Sequence, residues 1–261
     1  MRNLRLLTIG GYLSYRALFG WLNPYMYSLA LLLPAVAQLS FFVFLGRAAH
    51  VADDSYYVAG NALLAAATPS LFGMAQAVAG ERYSNTLALL IASPASRVAV
   101  FAGRALPGIV NGMVLSTWTF AVAALLFRVS VPAGAVVPLA GAIAATSFSC
   151  VGLGLVNAAL GLRWRETAVL GNLLLFVLLM FAGVNVPLDR LPGWLSTIAQ
   201  GLPVTHGAKA ARELVAGAGF EHVAPLLGAE LLVGACYLAT GLVALRLFEV
   251  EARRGATLEL A

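Results

Sequence analysis

At 261 residues, 61% hydrophobic and only 10% charged, the chain lies far from an ordinary soluble domain, where about 45–50% apolar and about 25% charged residues are usual. This excludes disorder, which needs low hydrophobicity, and the two cysteines, Cys150 and Cys236, are too few for a disulfide-stapled secreted module. An integral membrane protein remains, and the net charge of +5 has to be read by where the charges sit.

Uncharged runs cover residues 17–46, 55–80, 105–127, 129–162 and 167–188, and a sixth, 223–245, is broken only by Glu230. Each exceeds the roughly 20 residues that an α-helix needs to cross the hydrocarbon core. Backbone polar groups in lipid must be satisfied within the segment, so helices are expected, and the alternation of a barrel strand is absent from the sequence. The fold class predicted is all-α: one polytopic membrane domain over residues 1–261 with six transmembrane helices.

In chain order, residues 1–22 mix Arg2, Arg5 and Arg16 with Tyr15, Leu18 and Trp21. Positive and aromatic residues beside a span suggest a helix lying in the interface, with a frayed tail leading into span 1 as the plainer alternative. The apolar run begins only after Arg16 and continues for about 30 residues, against about 7–15 in a signal-peptide core, so the start reads as retained. Asn23-Pro24 marks a bend into span 1. Spans are expected near 24–46, 56–80, 105–127, 133–160, 167–186 and 225–247, with a charged tail over 248–261.

Even span number puts both termini on one side. That side holds Arg2, Arg5, Arg16, Arg82, Arg97, Arg104, Arg163, Arg165, Arg246, Arg253 and Arg254; the other holds Arg47, Arg128, Arg190, Lys209 and Arg212. The excess makes the termini cytoplasmic by the positive-inside rule, in a bacterial-type plasma membrane. The basic balance is thus a topology signal and calls for no nucleic acid.

The outer segment 187–222 is too apolar for a solvated loop (Leu191, Trp194, Leu195, Ile198, Leu202) and too short and proline-broken (Pro187, Pro192, Pro203) for two spans. A pair of short helices dipping into the outer leaflet satisfies both constraints, provided protein or a water cavity covers them; an amphipathic surface hairpin is the plainer alternative.

The chain's only lysine is Lys209, and no glycine-rich turn precedes a Gly-Lys-Ser/Thr, so no P-loop is present. His50, His206 and His222 lack metal-ligand spacing, and no nucleophile–base set appears in the spans. Glu230 is the one ionisable residue inside a span, a candidate intramembrane polar site; a carboxylate snorkelling to the nearby interface is the plainer reading. Gly108 and Gly112 give one small-xxx-small match, weak support for a dimer face. A transport-like domain without a motor implies a motor on another chain.

The stretch between spans 2 and 3 is where a motor would meet it. Tyr83, Leu87, Leu90 and Ile91 share one helical face, and Pro94 disfavours helix at Ser93. On residues alone this is either a surface connector or a docking knob. The stretch resembles the cytoplasmic loop of type-2 ABC exporter permeases: Glu81, Thr86, Leu87, Leu89, Leu90, Ser93, Pro94 and Arg97 match, while Asn85 and Ala88 stand where glycine and glutamate are usual. Asn tolerates left-handed backbone; the missing glutamate removes any ion pair made there in relatives. Residues 181–195, 202–206 and 211–214 are similar to the family's outer re-entrant region, and the resemblance covers nearly the whole chain.

The resemblance implies two permease subunits, as homo- or heterodimer, in the lipid bilayer around a central pathway, with two cytoplasmic ABC ATPase subunits below. It implies no cofactor on this chain, ATP and Mg being held by the ATPases, and no enzymatic site. It makes 82–93 the coupling helix, with Glu81, Arg82, Tyr83, Thr86, Leu87, Leu90, Ile91, Ser93 and Pro94 as the docking residues. Gly183, Pro187, Leu191, Pro192, Trp194, Pro203, His206 and Arg212 belong to an outer gate. The substrate class is drug-like molecules, lipids or lipid-linked glycans. A passive channel or a lipid-modifying enzyme is the alternative; a channel would stripe polar residues along spans, whereas Asn111, Asn157, Asn172 and Asn185 are scattered.

Overall fold

The computed structural model describes residues 24–83, 97–164 and 167–254, and among these the chain is helical without a strand. Helix α1 comprises Pro24–Tyr27, a π-helical turn Ser28–Leu32 and Leu33–Ala49. The wide turn has a local cause. Pro34 has no N–H for the Ala30 carbonyl, and the register is taken up by Leu33 N–H bonding Ser28 O, five residues back. Span 2 is two nearly continuous helices, α2 (Asp54–Ala65) and α3 (Ala67–Tyr83). Pro69 leaves the Ala65 carbonyl without its i+4 donor, and the break at Ala66 falls there.

Helix α4 is Arg97–Phe127, α5 is Val136–Trp164 after a 3₁₀ turn Ala133–Ala135, and α6 is Thr167–Phe181. A 3₁₀ turn Leu188–Arg190 leads to α7 (Gly193–Ala199) and α8 (Thr205–Val215), and α9 is Phe220–Arg254. Five segments are long and apolar enough to cross a membrane: Tyr25–Ala49, Asp54–Gln76, Ala105–Phe127, Ala133–Gly161 and Phe220–Leu247. The fifth expected span, α6, has 15 helical residues. At about 1.5 Å each that is roughly 22 Å, short of the ~30 Å hydrocarbon core. Its expected continuation to 186 is stopped at Gly183, whose φ of +71° turns the chain. Helices also outrun the expected spans: α3 continues through Glu81, Arg82 and Tyr83, α4 begins at Arg97, and α9 carries on into the expected tail.

Spans 2 and 4 form the centre of the bundle, and spans 1 and 6 lie on its outside. α5 packs most extensively on α9. Small residues set that distance: a Cβ on Gly152 would lie 2.7 Å from Gly234 O, and one on Gly234 2.8 Å from Ser149 Cα. Gly241 lies as tightly on Leu155. Without a hydrophobic drive in lipid, such close backbone approach is what holds helices together. Gly108 and Gly112 are used in the same way inside the subunit. Gly112 faces Ser70 and Ser147, and Gly108 faces Val151, so this small-residue face packs on spans 2 and 4 instead of pointing outward to a dimer.

On α1, Leu39, Val43 and Gly46 are buried at helical spacing, with Gly46 fitted to the Tyr57 ring. Phe41, Phe44 and Leu45 on the opposite side are exposed, as lipid-facing residues should be.

Candidate functional site

The segment 187–222 folds as the sequence suggests in one respect: it contains two short helices, α7 and α8. α8 is buried along one side through Thr205, Gly207, Ala208, Ala211 and Leu214 and packs on α2, α5 and α9. A Cβ on Gly207 would collide with Thr146 Oγ1. Small residues therefore let this helix sink into the bundle.

A helix start leaves backbone N–H groups without intrahelical acceptors. α8 supplies no side-chain cap of its own, and Val204 before it is held at φ +76°, a costly conformation for a β-branched residue. The acceptor comes from span 6. Glu230, fully buried, takes Val204 N–H on Oε1 at 2.8 Å, and His206 and Gly207 N–H on Oε2 at 3.1 and 3.0 Å. The Ser149 hydroxyl of span 4 also donates to Oε1. These four bonds fill the carboxylate's acceptor sites, and the positive end of the helix dipole favours its charge. The interfacial snorkelling reading of Glu230 is thus overturned: α8 covers it, and its oxygens face amides.

The far end of α8 is held by the opposite charge. Arg212 Nε–H donates to Tyr56 O at 3.2 Å, and Nη2 donates to Gly183 O and Val184 O, both at 2.9 Å. Its guanidinium carbon lies 3.5 Å from the centre of the Tyr56 ring. The Tyr56 hydroxyl donates to the same Gly183 carbonyl at 2.8 Å. Gly60 makes the room, since a Cβ there would stand 2.5 Å from Arg212 Nη2. Beside it, Asn61 Nδ2 donates to Asn185 Oδ1 at 2.8 Å, and Asn185 Nδ2 to Leu179 O at 3.2 Å. Asn185, one of the scattered asparagines, thus ties the end of α6 to span 2.

The remaining expected gate residues divide. Pro187 O accepts from Arg190 N–H, and Pro192 O from Leu195 and Ser196 N–H, so both prolines open short helical turns. Gly183 fits against Leu188 with left-handed backbone that suits glycine. Pro203 is buried and Leu191 half-buried, and a ring nitrogen of His206 pairs with Gln200 O at 2.9 Å. Trp194 is 67% exposed and takes no part in the cluster.

Of the expected docking residues, Glu81, Arg82 and Tyr83 end α3, whereas Thr86, Leu87, Leu90, Ile91, Ser93 and Pro94 lie outside the described residues, as does the expected interfacial helix 1–22. No group able to hold a metal ion occurs among the described residues. The sequence reading passed over Tyr56, Gly60, Asn61, Ser149, Val204 and Gly207. The one available signal was Glu230 itself, because a carboxylate within an apolar run needs a partner.

Apolar helices of spanning length around a core of buried small and polar residues define a polytopic helical membrane protein. The chain belongs to the ABC-2 type transporter family, which it matches over residues 12–215, well over half its length. A comparison with curated proteins found no match. Membership makes the chain an ABC-type permease, a membrane transport component of the kind that works with ABC ATPase subunits.

Proposed function

We propose that this permease is the membrane half of an exporter that moves a hydrophobic or amphiphilic substrate, of the drug, lipid or lipid-linked glycan class, out of the cytoplasm or inner leaflet. Two ABC ATPase subunits bind below, where ATP and Mg sit, and a second permease subunit completes the pathway. Both termini face the cytoplasm, 82–93 is the coupling helix, and the 187–214 region is the outer gate.

The family match supports this reading, because ABC-type permeases work with ATPase partners. The hairpin adds support. An 11-residue helix tied by charged side chains to several spans is placed to respond when those spans move. ATP produces motion only if it favours one permease state over another.

The test is Leu90→Asp in the complex with its ATPase. ATP-driven export is expected to be lost while the permease still inserts in the membrane. Normal export by the inserted variant rejects docking at this helix.

A further inference from the structure

We infer that Glu230 couples span 6 to the outer hairpin: its carboxylate, seated on the N-terminal amides of α8, makes that helix follow the α5–α9 pair. The inference deepens the gate reading given above and rests on it.

Four features carry it. The carboxylate accepts from Val204, His206 and Gly207 N–H and from the Ser149 hydroxyl, so three of its four bonds go to the start of one helix. α8 has no cap of its own, and the left-handed Val204 donates to Oε1, so Glu230 supports both the helix start and the strained turn into it. Glu230 also belongs to the most extensive helix seam among the described residues, and its glycines make it a close one. One helical turn on, Gly234 meets the backbone at Ser149, and Gly152 meets Gly234 O. Helices at this separation have no side-chain layer in which to slide, so α5 and α9 move together, with Ser149 and Glu230 in register.

The last feature is at the other end of the same helix. Arg212 bonds Tyr56 O in span 2 and the Gly183 and Val184 carbonyls after α6. α8 is therefore a strut between two sets of elements, fastened by a carboxylate at one end and a guanidinium at the other. A displacement of the α5–α9 pair relative to α2 and the end of α6 must carry α8 with it or break one fastening. Removal of the Glu230 fastening leaves α8 attached at Arg212 and unresponsive to span 6.

The experiment uses the full chain in nanodiscs with its ABC ATPase. Glu230→Gln keeps the shape of the side chain but turns a donor toward the α8 amides, and Ser149→Ala removes one of the four bonds to the carboxylate. Hydrogen exchange at the 204–207 amides is expected to rise roughly tenfold or more in Glu230→Gln and by less in Ser149→Ala. In a background with Cys150→Ala and Cys236→Ser, Lys209→Cys reports on α8 through its rate of labelling by an impermeant maleimide. That rate is expected to change with nucleotide in the wild-type complex and to stop changing in Glu230→Gln while ATP hydrolysis continues.

Unaltered exchange in Glu230→Gln overturns the fastening. Raised exchange with the nucleotide response intact leaves Glu230 a purely structural cap and overturns the coupling. An absent response in the wild-type complex rejects the gate and the coupling together, and exchange then still reports on the cap alone. If Glu230→Gln does not insert, Ser149→Ala is expected to show the same two effects in weaker form, and its lack of either overturns the inference.

Discussion

Arg212 and Tyr56 meet twice: the guanidinium carbon lies 3.5 Å from the centre of the tyrosine ring, and Nε–H donates to the Tyr56 carbonyl at 3.2 Å. One residue of span 2 thus supplies both a π face and a carbonyl to one cation. Lysine has neither the planar group to stack nor the fork to reach three carbonyls. Arg212→Lys is expected to lower stability by roughly 1.5–3 kcal/mol, the range for hydrogen bonds to a charged group. Thermal unfolding in detergent checks this, and a shift within error removes Arg212 as a fastening.

Arg47 provides the contrast. It too is paired, with Asp54 at 2.9 Å through Nε and 2.5 Å through Nη2, and it lies over the Phe44 and Phe127 rings. But its side chain is 51% exposed, and water competes for every contact. Arg47→Ala is expected to leave the unfolding midpoint unchanged under the conditions in which Arg212→Lys lowers it.

Gly60→Ala tests the space under the guanidinium. The added methyl would stand 2.5 Å from Arg212 Nη2 and 3.0 Å from Val184 O. A free arginine tip would swing aside, but this one is held by three carbonyls. The expected cost is about 1–3 kcal/mol, as for other overpacked sites. In the double variant Gly60→Ala/Arg212→Ala the two effects should fall short of their sum by at least about 0.5 kcal/mol. Strict additivity would mean that Gly60 acts elsewhere.

The α5–α9 seam can be tested with two glycines of one helix. Gly234→Ala places a methyl 2.8 Å from Ser149 Cα, a backbone atom that cannot turn away, and should destabilise by about 1–3 kcal/mol. Gly228 has open space around it, so Gly228→Ala should stabilise by roughly 0.5–1 kcal/mol through helix propensity alone. Opposite signs in denaturant titrations bear out the seam, and equal signs reject it.

Composition and the position of charges were enough to establish a helical membrane protein, because lipid leaves a spanning chain few options and each apolar run announces itself locally. The loop pattern around 81–97 and the 181–214 segment likewise carried the family resemblance, since both are read along the chain. The proline-linked interruptions at Ser28–Leu32 and Ala66 were local too, and legible once a helix was assumed. What the tertiary structure decided is where polar groups separated by long stretches of chain meet. Glu230 stood in the sequence as a lone acid beside an interface, and only packing brought it to amides 23–26 residues away. Gly108 and Gly112 looked the same whether they faced a neighbour or their own subunit. Arg212, one residue among a proline-broken segment, found Tyr56 across 156 residues. Periodicity and charge are properties of adjacent residues, whereas the partner of a buried charge is set by which helix faces are small enough to approach, and that is settled only when all of them pack at once.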